Sequence, residues 1–244
     1  MTTTKIHMIL QGKGGVGKSF IAALLAQYKA SKGQPSLCID TDPVNATFHG
    51  YQALGVRQIR LMEGNEINPR RFDALVEMIA PSEQDVIINN GASAFVPLTH
   101  YLISNQVPAL LAGMGHELVL HTVVTGGQAL LDTVNGFRQL ANHFSSEALF
   151  VVWLNPYWGP TEYQGQPFEE TKAYQDRQSR VSAIVHMPTL KEETFGRDLS
   201  DMLQARLTFD EALATASLTI MTRQRLKLVK ANLFGQLDQA AVLA

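Results

Sequence analysis

The residues best equipped for chemistry stand near the start of the chain. There Gly12-Lys13-Gly14-Gly15-Val16-Gly17-Lys18-Ser19 follows an apolar run and leads through Phe20 into a helix with Ile21, Leu24, Leu25 and Tyr28 on its apolar side. This matches G-x-x-x-x-G-K-[ST] in the strand, loop, helix context the motif requires. Glycines let backbone N–H groups converge on phosphate oxygens, and the helix N-terminus adds its positive end. Lys18 supplies a point charge to β- and γ-phosphates, and the Ser19 hydroxyl can ligate magnesium. The same letters satisfy G-x-G-x-x-G through Gly12, Gly14 and Gly17, with Asp40 and Asp42 placed about where a dinucleotide fold carries its ribose-binding acid. Lys18 and Ser19 decide between the two. A pyrophosphate held by backbone alone needs neither, whereas a nucleoside triphosphate with magnesium uses both.

Such a loop must be carried by a sheet, and the sequence supplies one. Apolar runs at 6–10, 36–39, 86–88, 118–124, 148–154 and 181–187 alternate with helical periods at 18–31, 69–80, 95–105, 128–144, 168–174 and 218–237. Several runs are apolar at consecutive positions, as parallel strands covered on both faces require. The expected architecture is a doubly wound α/β, mostly parallel sheet with helices on both faces, forming a single domain over residues 1–244. Two stretches read as loops. Residues 155–167 (NPYWGPTEYQGQP) hold three Pro, two Gly and three aromatics, and are expected as an ordered excursion whose aromatics either meet a partner or, the favoured reading, pack down on the domain. Residues 188–197 follow the last strand at the carboxyl end of the sheet, where ligands bind in open α/β folds.

Composition narrows the classes further. With 20 Lys plus Arg against 22 Asp plus Glu, the net charge is -2, and 45% hydrophobic content excludes a disordered chain. The charge balance argues against an overall basic nucleic-acid module. Cys38 is the one cysteine, which excludes an intrachain disulfide and a cysteine metal cage and suggests a reducing compartment. Residues 1–5 lack a signal-peptide pattern, and their Thr run is expected to fray. No apolar run approaches the ~20 residues that span a bilayer. A soluble, cytoplasmic protein is expected.

The second lysine, in the order Lys13-Gly-Gly-Val-Gly-Lys18-Ser19, resembles the deviant Walker A motif of the ParA/MinD family of dimeric ATPases. That resemblance implies ATP and Mg²⁺ as ligands and a homodimer in which Lys13 crosses the interface to the partner's phosphates. It extends to Asp40-Thr41-Asp42-Pro43, similar to the family's first switch. It casts Asp42 as the acid that orients attacking water and Asp40 as part of the magnesium shell; without a phosphate loop before it, the segment would read as an Asp-Pro turn. In Asp85-Val86-Ile87-Ile88-Asn89-Asn90-Gly91 the pattern departs, because Asn89 stands where the family carries the Walker B aspartate. An amide oxygen can still accept from a magnesium-bound water but brings no charge. Gly91 keeps the freedom expected of a γ-phosphate switch. Asn155 and Pro188 resemble the positions that read and line the adenine, though Asn before Pro is equally a turn residue. The stretches GKGGVGKS, IDTDPVNATF, NNGASAFVPL, VVTGGQALLDT and FVVWLNPYWGP are similar to the TraL-like and StbB-like branch encoded by conjugative plasmids, which implies a role in plasmid transfer or partition with proteins of those systems as partners.

The remaining features are weaker. The seven histidines show no paired ligand spacing. Arg223, Arg225, Lys227 and Lys230 form a basic cluster on the last helix, read as a solvated face rather than a DNA contact. Unlike the tail of MinD, residues 237–244 carry no basic amphipathic membrane anchor. Two alternatives stand beside the ATPase switch: a nucleotide-gated scaffold with little hydrolysis, motivated by Asn89, and a small-molecule ATP-dependent enzyme on the same fold.

Overall fold

The computed structural model describes residues 3–64 and 66–243. Met1 and Thr2, two of the five residues at the start of the chain, and Ala244 of the tail lie outside the described residues. Thr4 does not fray: it opens the first strand, paired to His116.

Seven strands form one sheet: β1 (Thr4–Ile9), β2 (Leu37–Asp40), β3 (Arg57–Gln58), β4 (Val86–Asn89), β5 (His116–Thr125), β6 (Ala148–Asn155) and β7 (Val181–His186). Their order is β7-β6-β5-β1-β4-β2-β3, and every pairing is parallel. The helices are α1 (Lys18–Ser31), α2 (Arg70–Ile79), α3 (Phe95–Ser104), α4 (Val107–Gly113), α5 (Leu130–His143), the single turn α6 (Lys172–Gln175), α7 (Arg197–Gln204), α8 (Phe209–Ala214) and α9 (Ile220–Asp238). Strand β2 lies outside β4 while β5 returns to the other side of β1. The chain direction therefore reverses around β1, and the crevice at the carboxyl ends of β1 and its neighbours is the switch point where such sheets bind ligands.

Period-two alternation divides most strand residues between two cores, with Val124, Val152 and Leu154 in a smaller third cluster against α5. Ile9, Ile87, Val119, Val151 and Trp153 face α1 and α9, while Met8, Ile88, Leu120 and Phe150 face α2 to α5. Burial on both faces explains the uninterrupted apolar runs. At the amino end of the sheet Lys29 is 1% exposed and pairs with Asp85 at 2.8 Å. Inside the first core, Trp153 Nε1–H donates to His121 Nδ1 at 2.9 Å, and His121 Nε2 lies 3.0 Å from His7 Nδ1. Because indole only donates, His121 must carry its proton on Nε2 and give it to His7. The His7 proton is then on Nε2, a buried atom without a partner. Burial, with Lys29 and Lys5 nearby, pushes the His7 pKa down to about 3. Burial, His7 and Lys29 hold His121 well below its ordinary range.

Several expectations are corrected. Strand β3 and helices α4, α7 and α8 were not foreseen. Residues 188–197 are not simply a loop, since a π-turn at Glu192–Gly196 feeds α7. Phe168–Glu170 is a 3-10 turn before the short α6. In the excursion after β6, Tyr157, Trp158 and Tyr163 are exposed rather than packed down. Among the described residues no helix is long and apolar enough to cross a membrane.

Candidate nucleotide-binding site

The loop after β1 is shaped by its glycines. Gly15 and Gly17 take φ of 71° and 97°, conformations open to glycine at little cost. Gly17 is the N-cap of α1. At Gly12 a Cβ would come within 3.0 Å of the Phe95 ring at the start of α3. Val16 is buried and Phe20 half-buried against the first core, so the loop is held at both ends by apolar side chains. Lys18 is buried and curls over the loop, its Nζ donating to the Lys13 carbonyl at 2.9 Å. Burial, opposed by the charge of Asp42, lowers its pKa to about 8. A phosphate placed there would restore the charge that burial disfavours.

Lys13 points elsewhere. Its ammonium is paired with Asp132 on α5 at 2.8 Å, with the lysine side chain 44% exposed. No spacing rule in the sequence marked Asp132, whose role depends on α5 being brought beside the loop.

Ser19, Asp40 and Asn89 are brought together. Register places Asp40 opposite Asn89 on neighbouring strands. Asn89 Nδ2 donates to Asp40 Oδ1 at 3.0 Å and to Ser19 Oγ at 3.2 Å. Asp40 also accepts the backbone N–H of Asp42 and of His49. Its pKa is raised by burial, with these hydrogen bonds opposing the shift. Asn89 Oδ1 is buried with no partner. A hydroxyl, a carboxylate and an unpartnered amide oxygen form an oxygen donor set that fits magnesium, which binds through few protein ligands and keeps waters. The second carboxylate usual in such sites is replaced by a donor that satisfies Asp40 instead.

Asp42 lies just beyond β2, and its Oδ1 accepts from Val44 and Asn45 N–H at 2.9 and 3.1 Å. Gly91 is buried against it: a Cβ there would lie 2.6 Å from Asp42 Oδ1 and 2.8 Å from Pro43 Cδ. Thr41 joins the segments that follow β2 and β4, donating from Oγ1 to Asn90 Oδ1 at 2.8 Å. On the other flank, Asn155 donates from Nδ2 to the Val16 carbonyl at 3.0 Å and accepts the Tyr157 N–H on Oδ1 at 3.1 Å. Met187 N–H bonds the Leu154 carbonyl, which holds Pro188 at the carboxyl end of β7 beside β6. Trp158, not foreseen as a site residue, donates its indole N–H to the Gly15 carbonyl at 3.3 Å.

The basic cluster on α9 is partly neutralised. Arg225 pairs with Asp198 and Lys230 with Asp210.

A glycine-rich loop and lysine between a central parallel strand and a helix, at a topological switch point, define a P-loop nucleotide-binding fold. The family model described as CobQ/CobB/MinD/ParA nucleotide binding domain matches residues 7–233, and the chain belongs to that family. Two proteins from Escherichia coli, each called Protein TraL, are 72% identical to it over 239 residues, covering 98% of this chain and 99% of each relative. Among solved structures, the MinD cell division protein of Aquifex aeolicus is similar with a TM-score of 0.50 at 14% identity, over 95% of this chain and 97% of that one. That likeness concerns the fold.

Proposed function

We propose that this chain is a homodimerising ATPase switch that binds ATP with Mg²⁺ and acts in plasmid conjugative transfer or in plasmid partition and positioning. It works in the cytoplasm as a single P-loop ATPase domain over residues 1–244. The observation that carries this reading is the division of labour between two loop lysines: Lys18 is buried over its own loop, while Lys13 is exposed and held off it by Asp132. A lysine presented this way is available to phosphates outside its own subunit once Asp132 releases it. Exposed Val44, Val96, Leu131, Tyr157 and Trp158 each lie within a residue of a group that touches the loop or its switches, and suit a face covered by a second subunit.

In this reading Gly12 to Ser19 and Phe20 hold the phosphates, and Asn155 and Pro188 flank the base. Lys18 neutralises charge on the β- and γ-phosphates, and Asp42 orients the attacking water. Ser19 and Asp40, with Asn89, hold the metal; magnesium, when bound, supplies charge neutralisation at the phosphate oxygens. Partners are proteins of plasmid transfer or partition systems. Direct DNA contact is not favoured, because two of the four α9 cations already have carboxylate partners.

Measurement of oligomeric mass with and without ATP tests the switch. The wild type is expected to become a dimer on ATP and Lys13→Ala to remain a monomer. A monomer throughout, or a Lys13→Ala chain that dimerises normally, would sink the model.

A second reading, a nucleotide-gated scaffold with little hydrolysis, is favoured by the uncharged amide of Asn89. Phosphate release after dimerisation separates the two: a dimer that persists without releasing phosphate supports the scaffold.

A further inference from the structure

Among the described residues, no backbone N–H from Lys13 to Gly17 makes a hydrogen bond of ordinary geometry within the chain, the turn at Gly14 and Gly15 being an open one. The loop thus keeps backbone donors available to a ligand. Two of its peptide units, however, are held from the opposite side. Trp158 Nε1–H occupies the Gly15 carbonyl at 3.3 Å, and Asn155 Nδ2–H occupies the Val16 carbonyl at 3.0 Å. The described residues include no cis peptide, and a trans peptide unit sets its C=O and N–H in opposite directions across the C–N bond. Drawing the Gly15 carbonyl outward therefore turns the Val16 N–H inward. The same relation holds between the Val16 carbonyl and the Gly17 N–H.

The segment that does the drawing is itself fixed. Asn155 Oδ1 accepts the Tyr157 N–H. A Cβ at Gly126 would lie 2.2 Å from the Gly159 oxygen, and one at Gly127 2.4 Å from the Trp158 oxygen. The backbone of 158–160 thus lies directly on the loop after β5. Burial does not account for the tryptophan, which is 56% exposed beside a Tyr157 that is 74% exposed. The polar contact its ring makes is the one to Gly15.

We propose that Trp158 is a positioning residue for phosphate binding: with Asn155 it clamps the outer carbonyls of the loop and so aims the Val16 and Gly17 N–H groups at the β-phosphate of a bound nucleoside di- or triphosphate. The proposal rests on the reading of this loop as a nucleotide site. It assigns the exposed indole a task at the phosphates rather than at the base, and it makes the geometry of the nest depend on a surface element.

The test is competition binding of ADP and AMP to the wild type and to Trp158→Phe, which keeps an aromatic ring and lacks the N–H donor, with circular dichroism as the control for folding. Loss of one positioning hydrogen bond is expected to weaken ADP about tenfold. AMP, without a β-phosphate, is expected to bind both chains alike, so the ADP preference shrinks. A general loss of structure would not produce that split. Unchanged ADP affinity, or equal losses for ADP and AMP, overturns the clamp while leaving the nucleotide reading standing. Failure of the wild type to bind ADP overturns both.

Discussion

Asn89 condenses the electrostatics of the site into one side chain. A carboxylate at this position would stand about 3 Å from Asp40 Oδ1, where the amide Nδ2 now donates, and two like charges that close cannot both ionise at little cost. The amide removes that repulsion and stabilises Asp40 as an anion, at the expense of negative charge available to a metal. Asn89→Asp is therefore expected to unfold at lower temperature than the wild type when magnesium is chelated at neutral pH, and to gain more than the wild type does when magnesium is added. Thermal unfolding with and without magnesium checks this, and identical magnesium responses in the two chains would contradict it. The identity of this residue was legible in the sequence as a departure from a family pattern. Its unpartnered Oδ1 was not, because that depends on register between β2 and β4.

At the scale of elements, the carboxyl ends of β2 and β4 are joined tightly enough that one methyl group matters. Gly91 leaves no space for a Cβ beside Asp42 and Pro43. Gly91→Ala must displace the Asp42 segment, and misplacement of a catalytic group by about 1 Å can cost on the order of a hundredfold in rate. The expected outcome is strongly reduced single-turnover phosphate release with ADP affinity retained, since the loop after β1 is untouched. Phosphate release at the wild-type rate would show that Asp42 has no part in hydrolysis. The elements that build this crevice were readable because periodicity is strongest in buried parallel strands and in α1. Four elements escaped for different reasons: β3 is polar and two residues long, α4 is separated from α3 by a turn at Gln106 with φ of 50°, and α7 and α8 are helices of only eight and six residues in a stretch read as loop and connection. The sequence also pointed to an ordered excursion after β6, but not to its outward-facing aromatics, because exposure is decided by what the rest of the fold offers as cover. Asp132 and Trp158 were missed as site residues for the same reason: each meets the loop through tertiary placement and neither belongs to a spaced motif.

The whole molecule carries a titration of its own. His7 and His121 are kept neutral in the core, His7 with a pKa near 3 and His121 well below its ordinary value of 6.5, burial being the first cause for both. Below about pH 6.5 the unfolded chain takes up protons that the native chain refuses, so stability falls as pH falls, by up to about 1.4 kcal/mol per pH unit for each histidine. Above that pH neither state binds the proton and the dependence vanishes. Denaturant unfolding between about pH 7.5 and pH 5 should show this slope before ordinary carboxylates begin to titrate; a flat profile over the range would mean that the two rings take up protons in the native core at the same pH as in the unfolded chain. The pair of buried Lys29 and half-buried Asp85 lies at the other extremity of the sheet from the phosphate loop. Exchanging such a pair together for apolar residues of similar volume is often neutral or stabilising. The polarity of the strands thus separates two kinds of freedom: the charges at the amino edge can be exchanged for robustness alone, while the carboxyl edge answers to the nucleotide.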